Sequence, residues 1–196
     1  MESIIYPISD TDIGRIPRAR ITNDNSINTY IQDICKEVLN LAKNKNKSME
    51  IGILASLDKK YKSKPIFGYM DNKTGLCTID TVHDEEYQDA IISFKYNSLI
   101  FIHNHPNNSK LSYNDLLNLI TTPTIAIVVA VGNNGSISFA YRKSDNYSVY
   151  VKLYMQMQSK LYKVNKEDRL KIQDQMYEEI LNNPNKYGLV MGESRR

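Results

Sequence analysis

The sequence predicts an α/β (α+β) fold in which one mixed β-sheet is flanked by helices. Three observations predict this class. The 196 residues suffice for one domain with a core and are few for two. Short apolar runs typical of buried strands are interspersed with stretches of helical periodicity. Their order, helix, strands, helix, strand, short helix, strands, favours helices packed on a mixed sheet.

The first half of the chain predicts a helix followed by three strands. Residues 1–25 contain Pro7, Gly14 and Pro17 and predict an irregular lead-in. Apolar residues then recur at helical spacing over 26–43, with Ser26 as the expected N-cap and the polar run KNKNKS as the end. Strands are predicted for MEIGILASL, KPIFGYM and LCTIDTV, the last two joined by a turn at 72–75.

The second half alternates helices and strands and ends in two longer helices. HDEEYQDAIISFKYN predicts a helix with Asp84 as N-cap, SLIFIH a strand, and SYNDLLNLI a short helix. TIAIVVAV and SISFAYR are strands around the turn GNNG. Helices are expected over 147–164 and in KEDRLKIQDQMYEEILNN, which ends near Pro184 before a loose tail, GESRR. We therefore divide the chain into 1–45, 46–145 and 146–196.

Composition excludes several classes of protein. The net charge of +3 is mild and the basic residues are scattered, which argues against a nucleic-acid partner. Cys35 and Cys77 lie far apart, so they form no Cys-x-x-Cys zinc site, and we expect buried thiols in a reducing compartment. The N-terminus lacks a basic region followed by an apolar stretch, so we expect no signal peptide, and no apolar run reaches membrane-spanning length. A cytoplasmic protein without a membrane partner is expected.

Two of the three histidines lie one residue apart at the end of a predicted strand. Side chains two residues apart on a strand point to the same side, so His103 and His105 project together, and Pro106 helps to end the strand. Two imidazoles on one face are a natural pair of zinc ligands, and a hydrolytic zinc site needs a third ligand and an open position. Asp115, beyond the loop PNNSKL, is the candidate third ligand.

Ser112 and Asp115 have two interpretations. Ser-x-x-Asp before an apolar run is a capping box, which requires no metal. The same pair, one helical turn apart and close after two histidines, also suits a metal site. Because a carboxylate at the start of a helix follows the two histidines, the metal site is favoured over a cap alone. His83 precedes the expected N-cap Asp84, and we predict no metal role for it.

The segment HNHPNNSKLSYND resembles the JAB/MPN+ metalloproteases, also called JAMM proteases, over residues 45–145. Their pattern is an upstream Glu, then His-x-His-Pro, a short loop and Ser-x-x-Asp, and Glu50 in MEIGILASL matches the upstream Glu. HNHP is especially similar to the bacterial branch with RadC-like and phage JAB domains. Two spacings depart from the family: six residues, rather than seven, separate His105 from Ser112, and Gly52 follows Glu50 by two positions.

The resemblance implies a cytidine-deaminase-like JAB/MPN architecture with extra N- and C-terminal helices. It also implies one Zn²⁺ per chain, held by His103, His105 and Asp115, with Glu50 as general base and Ser112 as a donor to the oxyanion. The reaction would be hydrolysis of a peptide or isopeptide amide. Taken alone, Glu50 would be a surface carboxylate near two lysines; its place upstream of the complete motif reverses that interpretation.

Several functional alternatives stay open at this point. The substrate could be a ubiquitin-like tail, a peptide or a peptidoglycan-type amide. A non-catalytic binding or scaffold module with the same fold, and a RadC-like DNA-associated protein, are the competing functions, although the complete set of polar residues favours the enzyme. The helices over 26–43 and 147–182 could pair two chains into a homodimer or contact another partner.

Overall fold

The computed structural model describes residues 4–72, 75–143, 145–162 and 164–194. Within these ranges the helices are α1 (Asp10–Gly14), α2 (Asn25–Lys45), α3 (Glu85–Ser93), α4 (Tyr113–Thr121), α5 (Ser148–Leu161) and α6 (Lys166–Asn182), with a 3₁₀ turn at Pro184–Tyr187. The strands are β1 (Ile51–Ser56), β2 (Ile66–Phe67), β3 (Tyr69–Asp71), β4 (Leu76–Thr78), β5 (Leu99–His105), β6 (Ile125–Gly132), β7 (Ile137–Arg142) and β8 (Leu189–Ser194).

Six strands form one mixed sheet in the order β2-β1-β5-β6-β7-β8. The central pair β5 and β6 is parallel, and every other neighbouring pair in this sheet is antiparallel. Strands β3 and β4 form a separate two-stranded antiparallel sheet. The predicted class, a mixed sheet flanked by helices, is confirmed at this level.

Helices cover both faces of the sheet. Helices α1 and α2 pack on one face, over the β5 side chains Ile100 and Ile102. Helices α3 to α6 pack on the other face, over Leu99 and Phe101. Because side chains alternate along a strand, the end of β5 sends residues 103 and 105 toward α4 and residue 104 toward α2.

Three local predictions are wrong, each for a physical reason. Asp24, not Ser26, is the N-cap of α2, because its carboxylate accepts hydrogen bonds from the main-chain N–H groups of Ser26 and Ile27. The lead-in contains the short helix α1, which begins with a capping box between Ser9 and Asp12. The tail is not loose over its described part, since β8 pairs with β7 along six residues of each strand.

Other expectations are met or stay predictions. The N-cap role of Asp84 is confirmed, because its side chain accepts a hydrogen bond from the Tyr87 N–H. Residues 73 and 74 of the expected turn, residue 163 of the expected helix over 147–164, and residues 195 and 196 of the tail lie outside the described residues. The division into 1–45, 46–145 and 146–196 stays a prediction. Among the described helices, none is both long and apolar enough to span a membrane.

Candidate metal centre

The imidazoles of His103 and His105 face each other at the end of β5. Their Nε2 atoms lie 2.9 Å apart, and both side chains are almost fully buried. The Phe101 ring stacks on His103 with 5.1 Å between ring centroids. In β5 these residues pair with Ala130 and Gly132 of β6, so the strand end is held by the sheet. The prediction that the two imidazoles share one face is confirmed.

Asp115 is both a capping residue and a member of the histidine cluster. Its Oδ2 accepts hydrogen bonds from the main-chain N–H of Ser112 at 2.5 Å and from the Ser112 hydroxyl at 2.7 Å, which completes a capping box at the start of α4. Its Oδ1 lies 3.0 Å from Nε2 of His103, and Oδ2 lies 3.3 Å from Nε2 of His105. The two interpretations of Ser112 and Asp115 are therefore compatible, because Oδ1 faces His103 while Oδ2 accepts both capping hydrogen bonds and still lies near His105.

Glu50 reaches the cluster from the residue before β1. Its Oε1 lies 3.9 Å from Nε2 of His103, and its side chain is only 13% exposed. The antiparallel pairing of Gly52 with His103 sets this approach, because it brings the start of β1 beside the end of β5. The main chain of Glu50 is held on both sides: its N–H donates to Sγ of Cys77, and its carbonyl accepts from the N–H of Gly68 at 2.8 Å.

Asn104 ties the position of Glu50 to the histidines. Its side chain lies on the opposite face of β5, where Oδ1 accepts the N–H of Ile51 at 2.7 Å and Nδ2 donates to the Met49 carbonyl at 3.3 Å. The residues on either side of Glu50 are thus bonded to the residue between the two histidines. Nδ2 also donates to Oδ1 of Asn133 at 2.8 Å, within the core.

Burial and mutual charge perturb the ionisation of the cluster. Burial raises the pKa of Glu50, and the two histidines only partly oppose this rise. Burial also disfavours the charges of Asp115 and His105, but the attraction between Asp115 and the two histidines outweighs it. His103 first, and then His105, hold the pKa of Asp115 well below its usual value, while the hydrogen bond and charge of Asp115 raise the pKa of His105 to about 9. The site therefore stores protons that a bound cation would displace.

The cluster fits a metal ion. One ligand atom each from Glu50, His103 and His105 lies within 4.8 Å of the others. Ligands about 2.0–2.1 Å from a tetrahedral zinc ion lie about 3.3 Å from one another. The separations of 2.9, 3.0 and 3.3 Å among His103, His105 and Asp115 are close to that spacing.

The two histidines differ in their outer contacts. Nδ1 of His105 lies 3.1 Å from the Ser109 carbonyl and 3.0 Å from the Ser109 hydroxyl, and these contacts direct Nε2 at the cluster. Nδ1 of His103 is buried and has no hydrogen-bond partner among the described residues. This difference makes His105 the more firmly oriented of the two imidazoles.

The sequence predicted the five residues of the candidate site, but not the residues whose contacts hold them in place. Glu50, His103, His105, Ser112 and Asp115 all line one cavity of about 590 Å³. The missed supports include Gly68, where an added Cβ would lie 2.7 Å from the Glu50 carbonyl oxygen and 2.8 Å from that of Thr78. The glycine in KPIFGYM was the available signal, since it interrupts a predicted strand and marks a close backbone approach.

His83 lies apart from the cluster, and its lack of a metal role stays a prediction. It is exposed, and its Nδ1 is 2.7 Å from a carboxylate oxygen of Asp80.

Comparison of this chain with protein-family models, with curated proteins and with solved structures finds no match in any of the three.

Proposed function

We propose that this protein is a zinc-dependent hydrolase of the JAB/MPN+ type that cleaves a peptide or isopeptide amide. One observation carries the proposal: Glu50, His103, His105 and Asp115, from the start of β1, the end of β5 and the start of α4, converge at one cavity. Their order along the chain is that of the motif. The cytidine-deaminase-like JAB/MPN architecture, with its added terminal helices, belongs to the same proposal.

Within this proposal His103, His105 and Asp115 hold the metal and Glu50 does not. The Asp115 oxygens approach the imidazole nitrogens to 3.0 and 3.3 Å, whereas Glu50 Oε1 is 3.9 Å from His103. The closer carboxylate matches the spacing of ligand atoms around one ion, and the farther one leaves room for water. Two imidazoles, one carboxylate and an open position suit zinc.

Glu50 is suited to move the proton during hydrolysis. Zinc, when bound, would act as a Lewis acid and lower the pKa of a bound water to about 7. Glu50 accepts the proton of the attacking water and delivers it to the leaving amine. Its raised pKa, caused first by burial, favours such an acid–base role near neutral pH.

Ser112 is the proposed donor to the oxyanion. It is exposed at the cavity, and its hydroxyl donates to Asp115 in the capping box. The main-chain N–H of Ser112 also donates to Asp115, so the carboxylate keeps one hydrogen bond when the hydroxyl turns toward substrate. Loss of such a donor typically costs about 10²–10³-fold in rate.

The partner implied by this activity is a protein or peptide, with a ubiquitin-like tail as one candidate. A cytoplasmic location is part of the proposal, because Cys35 and Cys77 form no disulfide within the described chain. A homodimer formed through the terminal helices also stays a proposal.

Metal analysis of the purified full chain tests the site. We expect one zinc per chain, and His103→Ala combined with His105→Ala should abolish it. His83→Ala is the matched control, since His83 is exposed and lies outside the cluster. Stoichiometric zinc in the double variant would refute the ligand assignment.

Hydrolysis of internally quenched peptides and of ubiquitin-like fusions tests the activity. Glu50→Gln should retain zinc and lose about 10²–10⁴-fold in rate, because the amide cannot accept a proton. Glu85→Gln, at an exposed position of α3, is the control. Zinc binding without hydrolysis of either substrate class would instead support the non-catalytic binding module.

A further inference from the structure

The cavity that contains the cluster of Glu50, His103, His105 and Asp115 is an open groove between two walls. One wall is a face of α4, and the other is the segment 76–82, which comprises β4 and the residues that follow it. The α3 residue Gln88 steadies the second wall, since its side-chain amide donates to the Thr81 carbonyl at 2.8 Å. The groove therefore has two ordered sides leading to the cluster.

The α4 wall sets the length of chain that the groove can hold. Asn114, Leu117, Asn118 and Thr121 line it at spacings of three and four residues, which is one helix face. The seven residue steps from 114 to 121 along the helix rise by about 10 Å. An extended peptide advances about 3.3 Å per residue, so this wall spans about three substrate residues.

The opposite wall presents apolar side chains to solvent. Leu76 is 51% exposed and Val82 is 72% exposed, with Ile79 between them in the same lining. Exposed apolar side chains grouped at a groove mark a surface that binds another apolar group. These residues supply a contact for apolar substrate side chains.

Outside the residues proposed to surround the metal, the described part of the groove lining is uncharged. Apart from Glu50, His103, His105 and Asp115, the described residues that line it include no Lys, Arg, Asp, Glu or His. Charged residues make up 24% of the chain as a whole, so the groove lining is less charged than the average of the sequence. Asp80 belongs to the 76–82 segment but does not line the groove, and its carboxylate contacts His83.

From these features we infer that the substrate is an extended peptide with about three consecutive uncharged residues on one side of the cleaved amide. A charged side chain in these positions would lose hydration without gaining an ion-pair partner, whereas an apolar one gains burial against Leu76 and Val82. The inference rests on the proposed function and narrows its substrate class.

A matched series of quenched peptides tests the inference on the zinc-loaded full chain. Each peptide carries Leu, Arg or Glu at the three positions on one side of a common cleaved bond, and a second series varies the other side. We expect kcat/KM for the Leu peptide to exceed that for both charged peptides by at least about tenfold in one of the two series. Equal or faster cleavage of the Arg or Glu peptides would overturn the inference and leave the hydrolase intact.

Substitutions in the groove wall provide a second test of the inferred substrate preference. Val82→Glu should reduce kcat/KM for the Leu peptide and raise it for the Arg peptide, with zinc content unchanged. Ile92→Glu is the control, because Ile92 is 78% exposed on α3 and does not line the groove. An identical preference in the Val82 variant and the wild type would overturn the assignment of this wall.

Binding of the same peptides separates failure of the inference from failure of the proposed function. Fluorescence anisotropy with zinc-loaded Glu50→Gln should show tighter binding of the Leu peptide. Selective binding without cleavage by the wild type would refute the hydrolase and retain the groove specificity. Absence of both binding and cleavage would refute both.

Discussion

Replacing Asn104 by Ala removes the hydrogen bonds that hold the chain on either side of Glu50. Oδ1 of Asn104 accepts from the Ile51 N–H at 2.7 Å, and Nδ2 donates to Oδ1 of Asn133 at 2.8 Å and to the Met49 carbonyl at 3.3 Å. Both Asn104 and Asn133 are fully buried. The variant therefore leaves buried polar groups without their partners.

The expected loss of stability follows from these groups. A buried donor or acceptor left unsatisfied costs about 1–3 kcal/mol. Two such groups, the Ile51 N–H and Oδ1 of Asn133, give a loss of about 2–6 kcal/mol, counting the longer bond to Met49 as minor. Typical domains have a free energy of unfolding of about 5–15 kcal/mol, so a loss of this size should be readily measurable.

Urea denaturation followed by circular dichroism measures this loss from the midpoint and the slope of the transition. Asn40→Ala is the matched control, since the Asn40 amide makes an exposed hydrogen bond to the Lys36 carbonyl at 3.0 Å, and its loss should cost about 0.5 kcal/mol or less. The Asn104 variant should also keep zinc, because β6 holds the histidine strand, while its hydrolysis falls as Glu50 loses its position. A loss of stability below about 1 kcal/mol would refute the role given to Asn104.

Three further outcomes are expected. Asp115→Asn should remain folded by circular dichroism, because the amide oxygen still caps α4. Its zinc affinity in a chelator competition should fall by more than the roughly 10–100-fold typical of an outer-shell change. Unchanged affinity with reduced thermal stability would leave only the capping role. Zinc affinity should rise about tenfold per pH unit below the His105 pKa of about 9, because zinc binding displaces the proton of His105. The same competition at pH 6.5, 7.5 and 8.5 measures this rise, and an affinity that does not change with pH would contradict it. Gly68→Ala should lower hydrolysis and thermal stability together, because its Cβ meets the carbonyl oxygens of Glu50 and Thr78; wild-type values of both would refute the tight packing.

Local patterns predicted the elements whose signals are contained in their own residues. The buried run TIAIVVAV became β6, and Asp84 capped α3 as its position before an acidic first turn indicated. Strand β8 was missed because Gly192, Glu193 and Ser194 have low strand propensity, and their conformation depends on pairing with β7, more than 50 positions away along the chain. Propensity carries no information about such a partner.

In the candidate site, too, local patterns predicted some features and could not predict others. The spacing of His103 and His105 is a local signal, and it correctly gave two side chains on one face. The sequence indicates that Asn104 points away from the histidines and forms structural hydrogen bonds, but its partners Met49 and Ile51 were not accessible, because they precede it by more than fifty positions. Spacing also could not decide between the cap and the cluster for Asp115, since both depend on how far the loop after β5 folds back.

Because side chains alternate at the end of β5, the proposed ligands come together only when β5 pairs with its neighbours in the correct register. His103 and His105 face α4 while Asn104 faces α2, so a one-residue slip of β5 would exchange their environments. Such a slip would separate the imidazoles from Asp115 and direct an amide into the groove. Recovery of stoichiometric zinc binding after refolding would therefore report correct pairing of the central strands, even before any substrate is known.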